Sequence, residues 1–152
     1  MRISAKADYA VRAAAELAAA PAGTHLRAEQ LAQAQAIPVK FLLNILRELK
    51  LARLVQSHRG AQGGYRLARS PDRITLAEVI RAVEGPLANV HEVRPEDLSY
   101  TGPAEGLRDI WIAVRANLRA VLESVTLAHL AGGELPSSVR TLLKDPDAWV
   151  AR

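Results

Sequence analysis

Lys40, Leu43, Asn44, Arg47 and Lys50 recur every three or four positions, so a helix would carry them on one side. These residue types suit a polyanion with readable bases. An asparagine amide can pair with two edge atoms of adenine. A lysine can donate to guanine or phosphate, and a leucine can touch a thymine methyl. Arg47, Lys50 and, further on, Arg66 suit phosphate oxygens. Between Arg59 and Tyr65 the chain reads Arg-Gly-Ala-Gln-Gly-Gly-Tyr, with no acid. Gly60, Gly63 and Gly64 let the backbone enter φ > 0, which predicts a hairpin tip with an arginine at its base. For any one of these side chains a solvated surface is an equal explanation; the argument rests on their conjunction.

Other chemistries find less support. Cysteine is absent, which excludes disulfides, thiol catalysis and cysteine-held zinc or iron–sulfur clusters. Asp8, His25, His91 and Glu92 are acceptable metal ligands by type, but no compact ligand spacing joins them, and solvated side chains are the better reading. No nucleophile–base pair stands out, and the glycines at 60–64 precede a strand rather than a helix, so they are no dinucleotide fingerprint. An enzyme is not expected, and no cofactor is called for. Charge divides unevenly: residues 1–85 hold 13 Lys/Arg against 7 Asp/Glu, and residues 86–152 hold 7 against 9. The first part is the one that would attract nucleic acid. No apolar run approaches a membrane span and the amphipathic start is not a secretory signal, so the expected location is cytoplasmic.

The elements that must position these residues are mostly helical. Only one Phe, two Trp and three Tyr are present, so the core must come from Leu, Ile, Val and Ala. Ser4 caps a first helix with Ala7, Ala10, Val11, Ala14, Leu17 and Ala18 at helical spacing and Tyr9 on its flank; Pro21-Ala22-Gly23 ends it. Leu26 falls in a connector and could make a brief strand beside the hairpin. A short helix over 27–34 breaks near Gln35-Ala36. Pro38 suits the first turn of a longer helix reaching Leu51, with Phe41, Leu42, Ile45, Leu46 and Leu49 as its buried stripe. Alone, this pair could be any αα-hairpin. Followed at once by strands near 54–58 and 65–68, it reads as a winged helix-turn-helix with recognition helix 38–51 and wing 54–68.

Thr75 caps a helix over Leu76–Glu84, facing inward with Leu76, Val79, Ile80 and Val83 and stopped by Gly85-Pro86. Residues 86–106 are irregular and acidic. A long helix is predicted from Leu107 to about Leu130. Leu107, Trp111, Val114, Leu118, Val121 and Val125 step alternately by four and three, an a/d seam that wants a partner helix. A last short helix over Val139–Lys144 precedes Trp149 and Val150, expected to pack back on a dimer.

The stretches Ile37–Leu42 and Leu54–Ala68, with Ser-x-Arg-Gly-x-x-Gly-Gly-Tyr-x-Leu running from Ser57 to Leu67, resemble the bacterial regulators that include IscR, NsrR and CymR. Asp8–Ala13 and Ile74–Leu87, with its Glu-Gly-Pro-Leu end, resemble the same family. The resemblance implies a mainly α fold with a small two- or three-stranded β-wing. It divides the chain into a DNA-binding domain (1–85), a sensor-equivalent loop (86–106) and a dimerisation helix with tail (107–152). It implies base-reading side chains at Lys40, Leu43 and Asn44 and a wing arginine at Arg59. It also implies a homodimer on a palindromic operator, most simply as a repressor. In cluster-bearing relatives three loop cysteines hold iron and sulfur, and some take a ligand at the position of Asp8; this chain has no such cysteines. The alternative it raises is control by a partner protein, as in cluster-free CymR-like relatives. A small-molecule effector between the loop and the long helix, near Tyr100 and Trp111, is a further expectation.

Overall fold

The computed structural model describes residues 2–151. Ser4 starts helix α1 (Ala5–Ala19), its hydroxyl accepting from the Ala7 amide. The buried face of α1 is Ala7, Ala10, Ala13, Ala14 and Leu17. Alanines let neighbouring backbones approach closely, and α1 accordingly becomes the hub on which most of the other helices pack. Helix α2 (Ala28–Gln35) and helix α3 (Val39–Leu51) follow, joined by a sharp turn at Ala36, whose φ is +51°. Lys6 on α1 ties this group together: its ammonium donates to Glu48 on α3 and, at 2.7 Å, to the carbonyl of Val83.

Val83 belongs to helix α4 (Leu76–Glu84), which begins in a reciprocal cap: the Thr75 hydroxyl accepts from the Glu78 amide and the Glu78 carboxylate from the Thr75 amide. Burial pushes the Glu78 carboxyl up, but hydrogen bonds from Arg69 and Thr75 and the Arg69 charge outweigh it and hold the group below its ordinary value. Strands β1 (Val55–His58) and β2 (Gly64–Leu67) pair antiparallel, Val55 with Leu67 and His58 with Gly64. Leu26 bridges to Tyr65, adding the brief third strand that the sequence suggested. The fold is therefore mainly helical with a small β-wing.

Four expectations need correction. Phe41 does not join the buried stripe of α3, which is Leu42, Ile45, Leu46 and Leu49. It sits at the stripe's edge, 43 % exposed, its ring edge-on to Tyr9 at 5.7 Å. Pro38 precedes α3 rather than lying in its first turn. On α4, Leu76 and Ile80 are half-buried and Ala77 is buried in their place.

The largest difference is in the long helix. Helix α5 ends at Leu122 (Leu107–Leu122), and a separate helix α6 (Leu127–Gly132) starts after a break. Thr126 causes the break: its hydroxyl caps the His129 amide while its own amide donates to His129 Nδ1. The extended segment between them is stitched to the start of α4, Leu76 N–H to Val125 O and Leu127 N–H to Ile74 O, both 2.9 Å. Val125 is thus buried within its own chain, outside the seam assigned to it, and Leu127 is fully buried in the main core. A last helix, α7 (Ser137–Leu142), leads to a turn over Pro146–Trp149. Trp149 donates its indole N–H to Leu143 O, and its ring is largely exposed on the single chain.

Because Leu127 completes the core from far along the sequence, Leu127→Ala should cost about 2–5 kcal/mol of stability, as for other buried leucines. Urea unfolding at fixed protein concentration checks this, with circular dichroism as the probe. A loss confined to the oligomeric state would contradict the packing described.

Candidate nucleic-acid interface

The buried stripe of α3 fixes which residues its other side offers. With Leu42, Ile45, Leu46 and Leu49 turned inward, Lys40, Leu43, Asn44, Arg47 and Lys50 are all exposed. Leu43 is 44 % exposed, an apolar side chain amid polar and basic ones. The start of α3 carries no acid in its first turn, which leaves its N-terminal dipole to an outside anion.

The entry to α3 is held from α1. Arg12 donates through Nε to Gln35 Oε1 at 3.1 Å and through a second nitrogen to the Gln35 carbonyl, just before the left-handed Ala36. A non-glycine residue in that conformation costs on the order of 1 kcal/mol, which this clamp offsets. Arg12 also pairs with Asp8 at 3.0 Å and lies over the Tyr9 ring. Sequence reasoning did not find this role. Its signal was the arginine four residues after Asp8 on the exposed side of an otherwise alanine-rich helix.

The wing is fastened at three places. Leu26 N–H donates to Tyr65 O at 2.9 Å and Tyr65 N–H to Leu26 O at 2.7 Å. Lys50, near the end of α3, donates to Ser57 Oγ at 2.6 Å, linking recognition helix and wing. Arg27 reaches across to the tip and donates to Ala61 O at 2.7 Å. Arg27 was also missed, because a residue 34 positions away in sequence gives no local signal. On the wing's outer face Arg66 donates through two nitrogens to Gln56 Oε1, and Arg59 is exposed at the base of the tip.

The three wing glycines have different reasons. Gly60 has φ +105° with open space around it. Gly63 has ordinary φ, but a Cβ there would lie 2.5 Å from His58 O. Gly64 combines φ +145° with a would-be Cβ 2.6 Å from Leu26 O.

The candidate metal ligands are not brought together. Asp8 pairs with Arg12, His25 stacks on His58, and His91 and Glu92 form a turn between Val90 and Val93. Among the described residues no three His, Asp or Glu side chains assemble as a ligand set. The loop is anchored to α5 by the Arg115–Glu96 ion pair. On the single chain no residue of α5 is fully buried. Its seam residues Leu107, Trp111, Val114, Leu118 and Val121 are half-buried and Ile110 is 56 % exposed. No helix among the described residues is long and apolar enough to cross a membrane.

A helix-turn-helix whose second helix offers bases and phosphates a polar, basic face, with a fastened wing beside it, defines a winged helix-turn-helix DNA-binding transcriptional regulator. The chain belongs to the Rrf2 family: residues 3–133 match the family described as "Iron-dependent Transcriptional regulator". It is 52 % identical over 145 residues to Rv1287 of Mycobacterium tuberculosis, which bears an HTH-type regulator name; the match spans 95 % of this chain and 90 % of that protein. It is 36 % identical over 131 residues to the HTH-type transcriptional regulator CymR of Bacillus subtilis, covering 86 % and 90 %. The B. subtilis CymR structure, described as that of a global cysteine regulator, superposes with a TM-score of 0.73 over 87 % of this chain and 97 % of that one. The T. potens IscR structure does so at 0.68 and 28 % identity over 100 % and 93 %. The iron of the family description does not fit the donors of this chain, which has no cysteine and holds its candidate ligands apart.

Gly64→Ala should loosen the wing from Leu26, because the added carbon meets backbone that cannot yield cheaply. Amide exchange at Tyr65 and Leu26 should quicken at least tenfold while exchange in α1 stays unchanged. Unchanged protection at Tyr65 would contradict it.

Proposed function

We propose that this chain is a homodimeric, sequence-specific regulator, most simply a repressor, that binds a palindromic operator through recognition helix 38–51 and wing 54–68. The observation that carries the reading is the exposed face of α3 beside the fastened wing. Lys40, Leu43 and Asn44 meet base edges in the major groove, and Arg47, Lys50 and Arg66 meet phosphates. Arg59 enters the flanking minor groove or backbone. Gly60, Gly63 and Gly64 shape the tip that lets it do so. Dimerisation uses the α5 seam of Leu107, Trp111, Val114, Leu118 and Val121, which has no buried residue on one chain. Two copies place their half-sites roughly one helical turn, ~10 bp, or a multiple apart. Such a protein works in the cytoplasm, where the chromosome is.

Control without cysteine needs another input. A partner protein is the second reading, supported by the likeness to CymR and by the exposed Leu142, Leu143, Trp149 and Val150 at the end of the chain. A small effector near Tyr100 and Trp111 is the other. The indole nitrogen of Trp111 is buried without a hydrogen-bond partner.

Selection from genomic fragments should enrich a palindrome, and Arg59→Ala should weaken binding to it by roughly 5- to 150-fold, the range for a groove-bound arginine. Random recovered fragments, or full affinity in the variant, would reject the operator reading. Val114→Glu should yield a folded monomer by sedimentation, since a like charge would face itself across a two-fold seam. A variant that still sediments as a dimer would move the interface elsewhere.

A further inference from the structure

The connector between α1 and α2 and the wing enclose a concavity of about 540 Å³, lined by Thr24, His25, Arg27, Gln30, His58 and Gln62 together with small residues. His25 and His58 come from different elements, and their rings stack at 5.3 Å between centroids with 30° between planes. Neither imidazole has a hydrogen-bond partner among the described residues, so their ring nitrogens are available. Arg27 spends one donor on Ala61 O and keeps the rest of its guanidinium free. Among the described residues no carboxylate lines the space; Glu29, exposed in the first turn of α2, is not among its walls. The other charged groups on the packed elements, Arg59 after His58 and Arg66 on β2, are also cationic. Two stacked imidazoles beside a guanidinium repel one another once protonated, and an anion between them offsets that repulsion.

We propose that this concavity binds a phosphate of the DNA backbone beside the wing, and that the His25–His58 pair takes up a proton from solvent as it does so. The proposal rests on the DNA-binding reading above and adds to it a contact site and a pH dependence. A phosphate held by Arg27 and an imidazolium would fasten the connector and the wing to the same strand. A proton on the stacked pair adds a positive charge facing the phosphate, so the contact strengthens as the solution becomes more acidic.

The test uses the full-length protein and a mixed-sequence duplex, because a backbone contact needs no operator. Binding is followed by anisotropy across a salt series at about pH 6 and about pH 8. For wild type the slope of log affinity against log salt should be steeper by about one at the lower pH, the mark of one more phosphate neutralised. The His25→Gln/His58→Gln double variant should have the same slope at both. In wild-type protein at about pH 6, the His25 and His58 ring resonances should move on adding duplex, while those of His91 and His129 stay put. This readout needs no variant. A pH-independent slope in wild type, or a steepening that survives in the double variant, overturns the proposal and leaves the operator reading intact. Equal shifts of both rings with inorganic phosphate alone would make it a free-anion site and overturn the DNA assignment. No binding to any duplex at either pH would instead reject DNA binding, and this proposal with it.

Discussion

The wing depends on two backbone hydrogen bonds between Leu26 and Tyr65. A two-stranded hairpin of four residues a side is not stable alone in water. Here it gains a third strand of one residue, and that contact decides much of the local sequence. The backbones must approach so closely that position 64 admits no side chain. Tyr65 must follow in extended form, and the connector must pass Leu26 beside it before α2 can begin. The glycine-rich stretch is therefore less about flexibility than about proximity: only Gly60 of the three is glycine for its dihedral alone. A wing fixed in this way presents Arg59 and Arg66 at a set distance from α3, which Lys50 then secures through Ser57. Pre-ordering matters for recognition, because arginines on a loose hairpin would lose much of their contact energy in becoming ordered.

The second constraint is the closeness of α1 to its neighbours. Four of its five buried residues are alanine, which supply little apolar area each but allow short interaxial distances. The larger side chains come from the elements around it, Leu31, Leu42, Ile45, Leu46, Leu49, Ile74 and Leu127. At such a distance polar side chains on the rim of α1 reach backbone on adjacent helices. Lys6 reaches Val83 O and Arg12 reaches Gln35 O. Each charge is used where it fixes an orientation: one sets α3 against α4, the other the turn before α3. The ion pairs are partly exposed and contribute little stability, so their effect is geometric.

Local signals in the sequence carried most of the fold. Ser4, Thr75 and Gly85 marked helix ends because caps are short-range chemistry, and the period of Leu42, Ile45, Leu46 and Leu49 gave the orientation of α3 because burial follows the helical repeat. What failed was long-range. A four–three repeat continues smoothly through Val121 to Val125, yet the chain leaves the helix in between. The cause is Thr126, whose capping preference is visible in sequence, reinforced by strand-like pairing with Ile74 and Leu76, which is not. Phe41 was read into the buried stripe because it lies four residues before Ile45, yet it stands at the stripe's edge. For the candidate site, the shared exposure of Lys40, Leu43, Asn44, Arg47 and Lys50 was legible, because the helical repeat that buries one side of α3 turns the other outward. Arg12, Arg27 and the His25–His58 stack were not, since each acts across a gap in sequence that only the fold closes.

The break after α5 has a mechanical consequence. Were the helix continuous to residue 130, the proposed dimer seam and the DNA-binding core would be joined by one element with no independent anchor. Instead Val125 and Leu127 are hydrogen-bonded to the start of α4, Leu127 is sealed in the core, and Arg81 on α4 pairs with Glu123. The base of α5 is therefore fixed to the same body that carries α3 and the wing. On the dimer proposed above, a change in how two α5 helices meet would rotate each DNA-binding body as a unit, altering the spacing and tilt of the two recognition helices. The loop at 86–106 is tied to α5, the proposed dimer helix, through Arg115 and Glu96. Small rearrangements there act on a rigid lever, whereas a flexible joint at 123–126 would absorb them. On the proposed dimer a loop without cysteine acts through its grip on α5, the Arg115–Glu96 pair, and the chemistry that shifts that grip is a separate question from the lever that transmits it.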